Sequence, residues 1–316
     1  MNSRPHAGSL HRLPSPASAY LTPDGIAARV EELRAAHGGR TFPIGSTREG
    51  RQILATSFGS AEPGHEQGGV LLLSLLHAYE WIGALTLLRL LERLLRVRAS
   101  ASHPPAPLVA VPIANPDGAA AAEEAARALR LRMLRGNAAG IDLNRNFPAN
   151  HRARGPWTGL PWWRPGPFPT SEPETAALVA LASERRPRLS FSFHSFGRWF
   201  FYPPAGSRRP TPSAAAHRAL LDAAGGAGSI GYRAGQLGRW SALFRAPGAE
   251  IDFLSQEEGS FAYLIEVSGG GMGRWGVRRL GVPFFAYNPC DPEPEAERVA
   301  RFCERIVRIA IPVYGV

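Results

Sequence analysis

Residues 70–76 read Val-Leu-Leu-Leu-Ser-Leu-Leu, and His77-Ala78-Tyr79-Glu80 follows at once. A continuous apolar run this short is what a strand buried on both faces requires. Such strands belong to largely parallel sheets with helices on either side. From Glu80 to Val97 the apolar residues are spaced for a helix, so the run reads as a strand feeding a helix. The constraint is strong, because the strand must be interior and the His and Glu sit at its exit.

The same strand-then-helix unit recurs. Thr22-Pro23-Asp24 opens a helix through about Ala36, with Thr22 as N-cap and Pro23 at its first position. Arg40–Ile44 and Gln52–Phe58 read as a strand pair joined by a turn. Leu108–Ile113 is a second buried strand, followed by Asn115-Pro116-Asp117-Gly118 as a turn and a helix from Ala119 to about Leu134. Ser171-Glu172-Pro173-Glu174 starts a helix with Ser171 as cap and Glu174 completing a capping box. Strands are expected at Arg188–Phe193, Trp199–Tyr202 and Phe261–Ile265, with helices at Ser213–Ala224 and Pro294–Ile311. The segments 225–248 and 269–273 are glycine-rich and carry no clear period. There is no internal repeat and no linker. The expectation is one α/β domain over residues 19–316 with helices on both faces, preceded by a flexible arm at 1–18.

Composition narrows the class. A hydrophobic fraction of 44% and a charged fraction of 20% are those of a globular protein. The net charge of +10 comes from 36 basic residues, every one of them Arg, scattered among Glu rather than gathered into a patch. Nucleic acid is therefore not an expected partner. The most apolar helix carries Arg89, Glu92, Arg93 and Arg96, so no membrane span is expected. Residues 1–18 lack the apolar stretch of a signal peptide, and a cytoplasmic protein is the expectation. Cys290 and Cys303 read as reduced thiols. Nothing in the sequence addresses oligomeric state.

His77, Asn115, His194 and Glu266 each stand just past an apolar strand. In open α/β sheets ligands bind beyond the carboxyl ends of the strands, so these four belong to one crevice. His77, Glu80 and His194 supply two imidazoles and a carboxylate, the three-ligand set of an open zinc site. Glu266 is placed to take a proton from water and return it to a leaving amine. Asn144-Arg145 is a fork for a carboxylate, and Arg135 is a cation suited to a developing oxyanion. His65 and His151 are weak ligand candidates.

These residues together carry a resemblance. His77-x-x-Glu80-Trp81, Asn115-Pro116-Asp117-Gly118, Arg135 with Asp142-x-Asn144-Arg145-Asn146, His194-Ser195 and Ile265-Glu266, in that order, resemble the zinc metallocarboxypeptidases from about Tyr20 onward. The resemblance implies a mixed, roughly eight-stranded sheet between helices and one zinc ion on His77, Glu80 and His194. It implies Glu266 as general base and acid, Arg135 polarising the scissile carbonyl, and Asn144 with Arg145 on the substrate's terminal carboxylate. No inhibitory prodomain is expected. The 135–148 stretch, with Ser171-Glu172-Pro173-Glu174-Thr175 later, is also similar to cytoplasmic bacterial murein-peptide amidases of the same family.

The departures concern substrate. Tyr79 replaces a common Arg, and Phe196 a common Tyr. Phe244 stands where a mobile Tyr usually closes over the substrate. Ile251 takes the specificity-pocket position and favours an apolar side chain, with adjacent Glu250 leaving a basic one as the alternative. Leu264 is bulkier than the common Thr. The expected activity is removal of a C-terminal residue from a peptide. The alternative is a zinc amidase acting on a murein peptide, an N-acyl amino acid or a biosynthetic intermediate. An inactive relative that binds peptide C-termini would need a lost ligand or base, and the sequence retains both.

Overall fold

The structure, a computed structural model, describes residues 12, 17–59, 68–99, 106–128, 134–152, 163–269 and 283–314. Eight strands join in one mixed sheet: β1 (Arg40–Ser46), β2 (Gln52–Phe58), β3 (Val70–Ser74), β4 (Leu108–Val111), β5 (Leu189–His194), β6 (Trp199–Tyr202), β7 (Arg233–Gln236) and β8 (Phe261–Glu266). Their spatial order is β1-β2-β4-β3-β5-β8-β6-β7. The central β4, β3, β5 and β8 run parallel, β2 and β6 flank them antiparallel, and β1 and β7 close the edges. The expected mixed eight-stranded sheet is therefore present.

Helices cover both faces, as the apolar strands demanded. They are α1 (Pro23–His37), α2 (Trp81–Ala99), α3 (Pro116–Arg127), α4 (Pro173–Arg185), α5 (Ala214–Ala223), α6 (Glu250–Gln256), α7 (Pro283–Tyr287) and α8 (Glu293–Tyr314). Side chains alternate along each strand and build two cores. Leu72, Phe191, Phe193, Tyr263 and Ile265 pack with α2 and α8 residues such as Leu87, Leu91, Val299 and Phe302. Leu71, Leu73, Ala262 and Leu264 pack on the other side with Leu178 and Leu181 of α4 and Ile251 and Phe253 of α6. Each fully buried aliphatic of this kind contributes about 1.5–3 kcal/mol. Gly83 lets α2 lie close on β5: a Cβ there would sit 2.5 Å from the Phe193 carbonyl oxygen. The contact holds the start of α2 against the strand that ends in His194.

Several local readings change. Asn115-Pro116-Asp117-Gly118 is the first turn of α3 rather than a separate turn, because the Asn115 side chain accepts from the Gly118 amide at 2.9 Å and caps the helix. That helix ends at Arg127, and residues 129–133 lie outside the described set. The capping box at Ser171 does not form. The N-cap of α4 is Glu172, without a side-chain capping bond, and the Ser171 hydroxyl donates to Glu172 while accepting from Asn146. The expected flexible arm at 1–18 falls mostly outside the described residues. Within it Arg12 bridges Leu21 and Ala17 is buried, so the described part packs on the domain. His65 and residues 270–273 also lie outside the described set. Cys303 is a buried thiol and Cys290 an exposed one. Among the described residues no helix is long and apolar enough to cross a membrane.

Asn115 does more than cap. Its amide donates to the carbonyls of Leu76 at 3.2 Å and Gly136 at 3.1 Å, tying the exit of β3 to the segment that carries Arg135. It is fully buried. Asn115→Ala is expected to lose the cap and strand two buried carbonyls, costing about 2–4 kcal/mol in a urea melt. An unchanged midpoint would show the tie to be dispensable.

Candidate active site

The site forms at the carboxyl ends of the parallel strands, where the fold places ligand crevices. Beyond Ser74 the chain turns sharply through Leu75, which has a left-handed φ of 52° and a fully buried side chain. Backbone held in that region costs about 1–3 kcal/mol and persists where its surroundings over-determine it. The turn delivers His77, and Glu80 follows immediately before α2. His194 is the last residue of β5 and Glu266 the last of β8, and the two are paired across the strands. The Ser195–Phe196 peptide beyond His194 is cis.

His77, Glu80 and His194 converge. The Nδ1 atoms of the two imidazoles are 3.0 Å apart. His77 Nδ1 lies 2.8 Å from Glu80 Oε1, and His194 Nδ1 lies 2.8 Å from Glu80 Oε2. All three side chains are buried. The outer nitrogens face carboxylates: His77 Nε2 is 3.1 Å from Asp142 Oδ1, and His194 Nε2 is 3.0 Å from Glu250 Oε1 and 3.0 Å from Ser192 Oγ.

The electrostatics ask for a cation. Burial works against charge on His194, but Glu80 and Glu250 overcome it and push its pKa up to about 10. Burial works against charge on Glu80 as well, and the two histidines hold it far below the carboxylate range. Two imidazole nitrogens and a carboxylate on one point are a donor set that suits zinc.

Glu266 sits beside this group, half-buried, with a carboxylate oxygen, Oε2, that has no hydrogen-bond partner. Burial and the charges of Glu80 and Glu250 push its pKa up to about 8 against the pull of His194 and Arg135. A carboxyl so placed can carry a proton near neutrality. Arg135 bonds Asp142 through Nε at 2.8 Å and approaches Glu80 at 3.5 Å. Burial would raise the Asp142 carboxyl, but Arg135, Arg145 and His77 hold it well below its usual range.

A cleft of about 370 Å³ opens over these groups. His77, Arg135, Asn144, Arg145, His194, Phe244 and Glu266 all line it, together with Phe196, Phe201, Leu237, Trp240 and Leu264. Glu80 lies behind, against both histidines. Asn144 and Arg145 belong to a short 3-10 turn, Leu143–Arg145, capped by Asp142, whose Oδ1 accepts from the Asn144 amide at 3.0 Å. Asn144 Oδ1 accepts from the Glu250 amide at 3.0 Å. Arg145 lies against a pair of aromatic rings packed edge-to-face, 5.1 Å from Trp163 and 5.5 Å from Phe244, and its buried Nε has no partner. Burial in this aromatic setting lowers its pKa, with Arg135 adding to the effect.

Ile251 is fully buried beside Leu264, which lines the cleft, and is not itself among the lining residues. The neighbouring Glu250 carboxylate lies against His194 instead of opening to the cleft. Asn115 does not reach the cleft either. His151 bonds the Pro165 carbonyl, away from the metal group. The sequence reading gave no role to Trp163, Trp240 and Tyr287, although Tyr287 stacks on Tyr79 and meets Phe196 edge-on at the mouth of the site. Their signal was the density of aromatics in otherwise patternless segments.

Gly248 fixes the Arg145 turn. Its φ is 75°, and a Cβ there would lie 2.2 Å from the Arg145 carbonyl oxygen. Gly248→Ala is expected to cost about 1–3 kcal/mol and to displace Arg145, raising KM more than it changes kcat. Wild-type stability and KM would contradict this.

Comparison with known proteins places this geometry. A family model described as zinc carboxypeptidase matches residues 26–289. A metallocarboxypeptidase A-like protein of Trichophyton verrucosum is 27% identical over 262 residues, which cover 77% of this chain and 61% of that protein. The chain thus spans less than two thirds of that relative's length. Among solved structures, bovine thrombin-activatable fibrinolysis inhibitor, in complex with tick carboxypeptidase inhibitor, superposes with a TM-score of 0.76 at 18% identity, covering 93% of this chain and 98% of that one. Carboxypeptidase A from Helicoverpa armigera gives 0.76 at 20% identity, covering 94% and 75%. At these identities the two structures speak for the fold.

Proposed function

The chain belongs to the zinc carboxypeptidase family, and from that membership we propose that it is a zinc-dependent hydrolase releasing the C-terminal residue of a peptide. His77, Glu80 and His194 would hold one zinc ion. When bound, the ion supplies Lewis-acid polarisation and lowers the pKa of water to about 7. Glu266 takes the proton from the attacking water and delivers it to the departing amine. Arg135 stabilises negative charge developing on the scissile carbonyl oxygen. Asn144 and Arg145 hold the terminal carboxylate, and Phe244 closes one wall against the substrate.

One observation carries the reading. The carboxylate fork and the water-activating group line the same cleft, so a substrate anchored by its terminus presents its last amide bond to Glu266. Phe201, Leu237, Trp240 and Leu264 make the remaining wall apolar, which favours an apolar or aromatic terminal side chain. A basic one would need an acidic group in the cleft, and Glu250 is engaged by His194.

The test is to offer zinc-loaded protein matched peptides ending in a free carboxylate or an amide, with varied last residues. Murein peptides and N-acyl amino acids form further arms. Release of apolar C-terminal residues from the free-carboxylate peptides alone is expected. Cleavage confined to murein peptides or acyl amino acids would replace the peptidase reading with the amidase one, and no cleavage in any arm would remove both.

A further inference from the structure

We propose that Glu250 is the positioning residue for His194, accepting the Nε2 proton and so turning Nδ1 toward the metal point. The inference rests on the zinc-hydrolase reading and concerns a residue outside the metal-binding group and outside the cleft wall.

Glu250 is the first residue of α6, and its carboxylate is fully buried. A buried carboxylate costs several kcal/mol unless a partner offsets it. Oε1 lies 3.0 Å from His194 Nε2, and Oε2 is buried without a hydrogen-bond partner. Among the described residues its ion pair is with His194. The backbone is pinned too, since the Glu250 amide donates to Asn144 Oδ1. One residue thus links the carboxylate fork to the third metal-binding side chain.

A neutral imidazole donates from one nitrogen and binds metal through the other. With Nδ1 of His194 facing Glu80 and His77, the proton belongs on Nε2, where Glu250 accepts it. His77 has the same arrangement with Asp142. Such outer carboxylates fix the tautomer and ring orientation and raise the basicity of the metal-binding nitrogen. Ser192 Oγ, also 3.0 Å from Nε2, is the competing acceptor.

The zinc dissociation constant, from chelator competition, would be measured for wild type, Glu250→Gln, Glu250→Ala and Ser192→Ala. The His194 Nε2 proton would be followed by NMR in the zinc-loaded proteins. Glu250→Ala is expected to weaken zinc binding about 10- to 100-fold, with Glu250→Gln intermediate and Ser192→Ala near wild type. The Nε2 proton should resonate downfield in wild type, move upfield in Glu250→Gln and exchange with solvent in Glu250→Ala. If Glu250→Ala does not fold, Glu250→Gln decides through both readouts. Wild-type affinity and resonance in the Glu250 variants, or a loss confined to Ser192→Ala, would overturn the proposal while leaving the hydrolase reading intact. A wild-type protein that binds no zinc would remove that reading itself.

Discussion

Glu266→Gln is expected to lower kcat/KM by about 10²- to 10⁴-fold, the usual contribution of a positioned acid–base group, while zinc affinity stays near wild type. The amide keeps the shape of the side chain at the end of β8 and removes its capacity to carry a proton. The effect should fall on kcat, because in the proposed mechanism Glu266 serves the water and the leaving nitrogen rather than the terminal carboxylate. Steady-state kinetics on a peptide with an apolar last residue, together with metal analysis, make the check. A decrease below about tenfold with full zinc occupancy would mean that proton transfer runs through another group.

Arg145→Ala should act on binding. A charge-assisted pair with a carboxylate is worth about 1.5–3 kcal/mol, so KM should rise by roughly 10- to 150-fold with a smaller change in kcat. The aromatic setting sharpens the expectation. Trp163 and Phe244 both lie within cation–π range of the guanidinium. Arg145→Lys should recover little, because an ammonium offers neither the planar fork nor the stacked face. The discriminating control is a peptide amide. If Arg145→Ala lowers turnover of amide and free-carboxylate peptides equally, the guanidinium does not read the terminus.

The strand ends were legible in the sequence for a physical reason. A buried strand is mostly apolar with at most small hydroxyls, so a titratable side chain at its carboxyl end is conspicuous. His77, His194 and Glu266 each stand at such an end, and the parallel order of β3, β5 and β8 sets them side by side. The grouping of His77, Glu80 and His194, with Glu266 beside them, could therefore be read without a structure. Asn115 has the same signature and a different use, capping α3 and holding two carbonyls, because a strand end can serve backbone as well as substrate. Because α6 follows the unpatterned 225–248 stretch, the sequence carries no period to tell which neighbour faces which way, and the structure buries Ile251 in the core and sets Glu250 against His194. Trp163 lay in a Pro-Gly-Trp stretch whose packing depends on Arg145, 18 residues earlier, a contact no local pattern carries.

The most direct test of the central claim is anomalous scattering at the zinc edge from crystals of reconstituted protein. One peak is expected per chain, bounded by His77 Nδ1, His194 Nδ1 and the Glu80 carboxylate, with Glu266 and Arg135 beside it and Asn144 and Arg145 across the cleft. A peak elsewhere, or none at that point under saturating zinc, would contradict it.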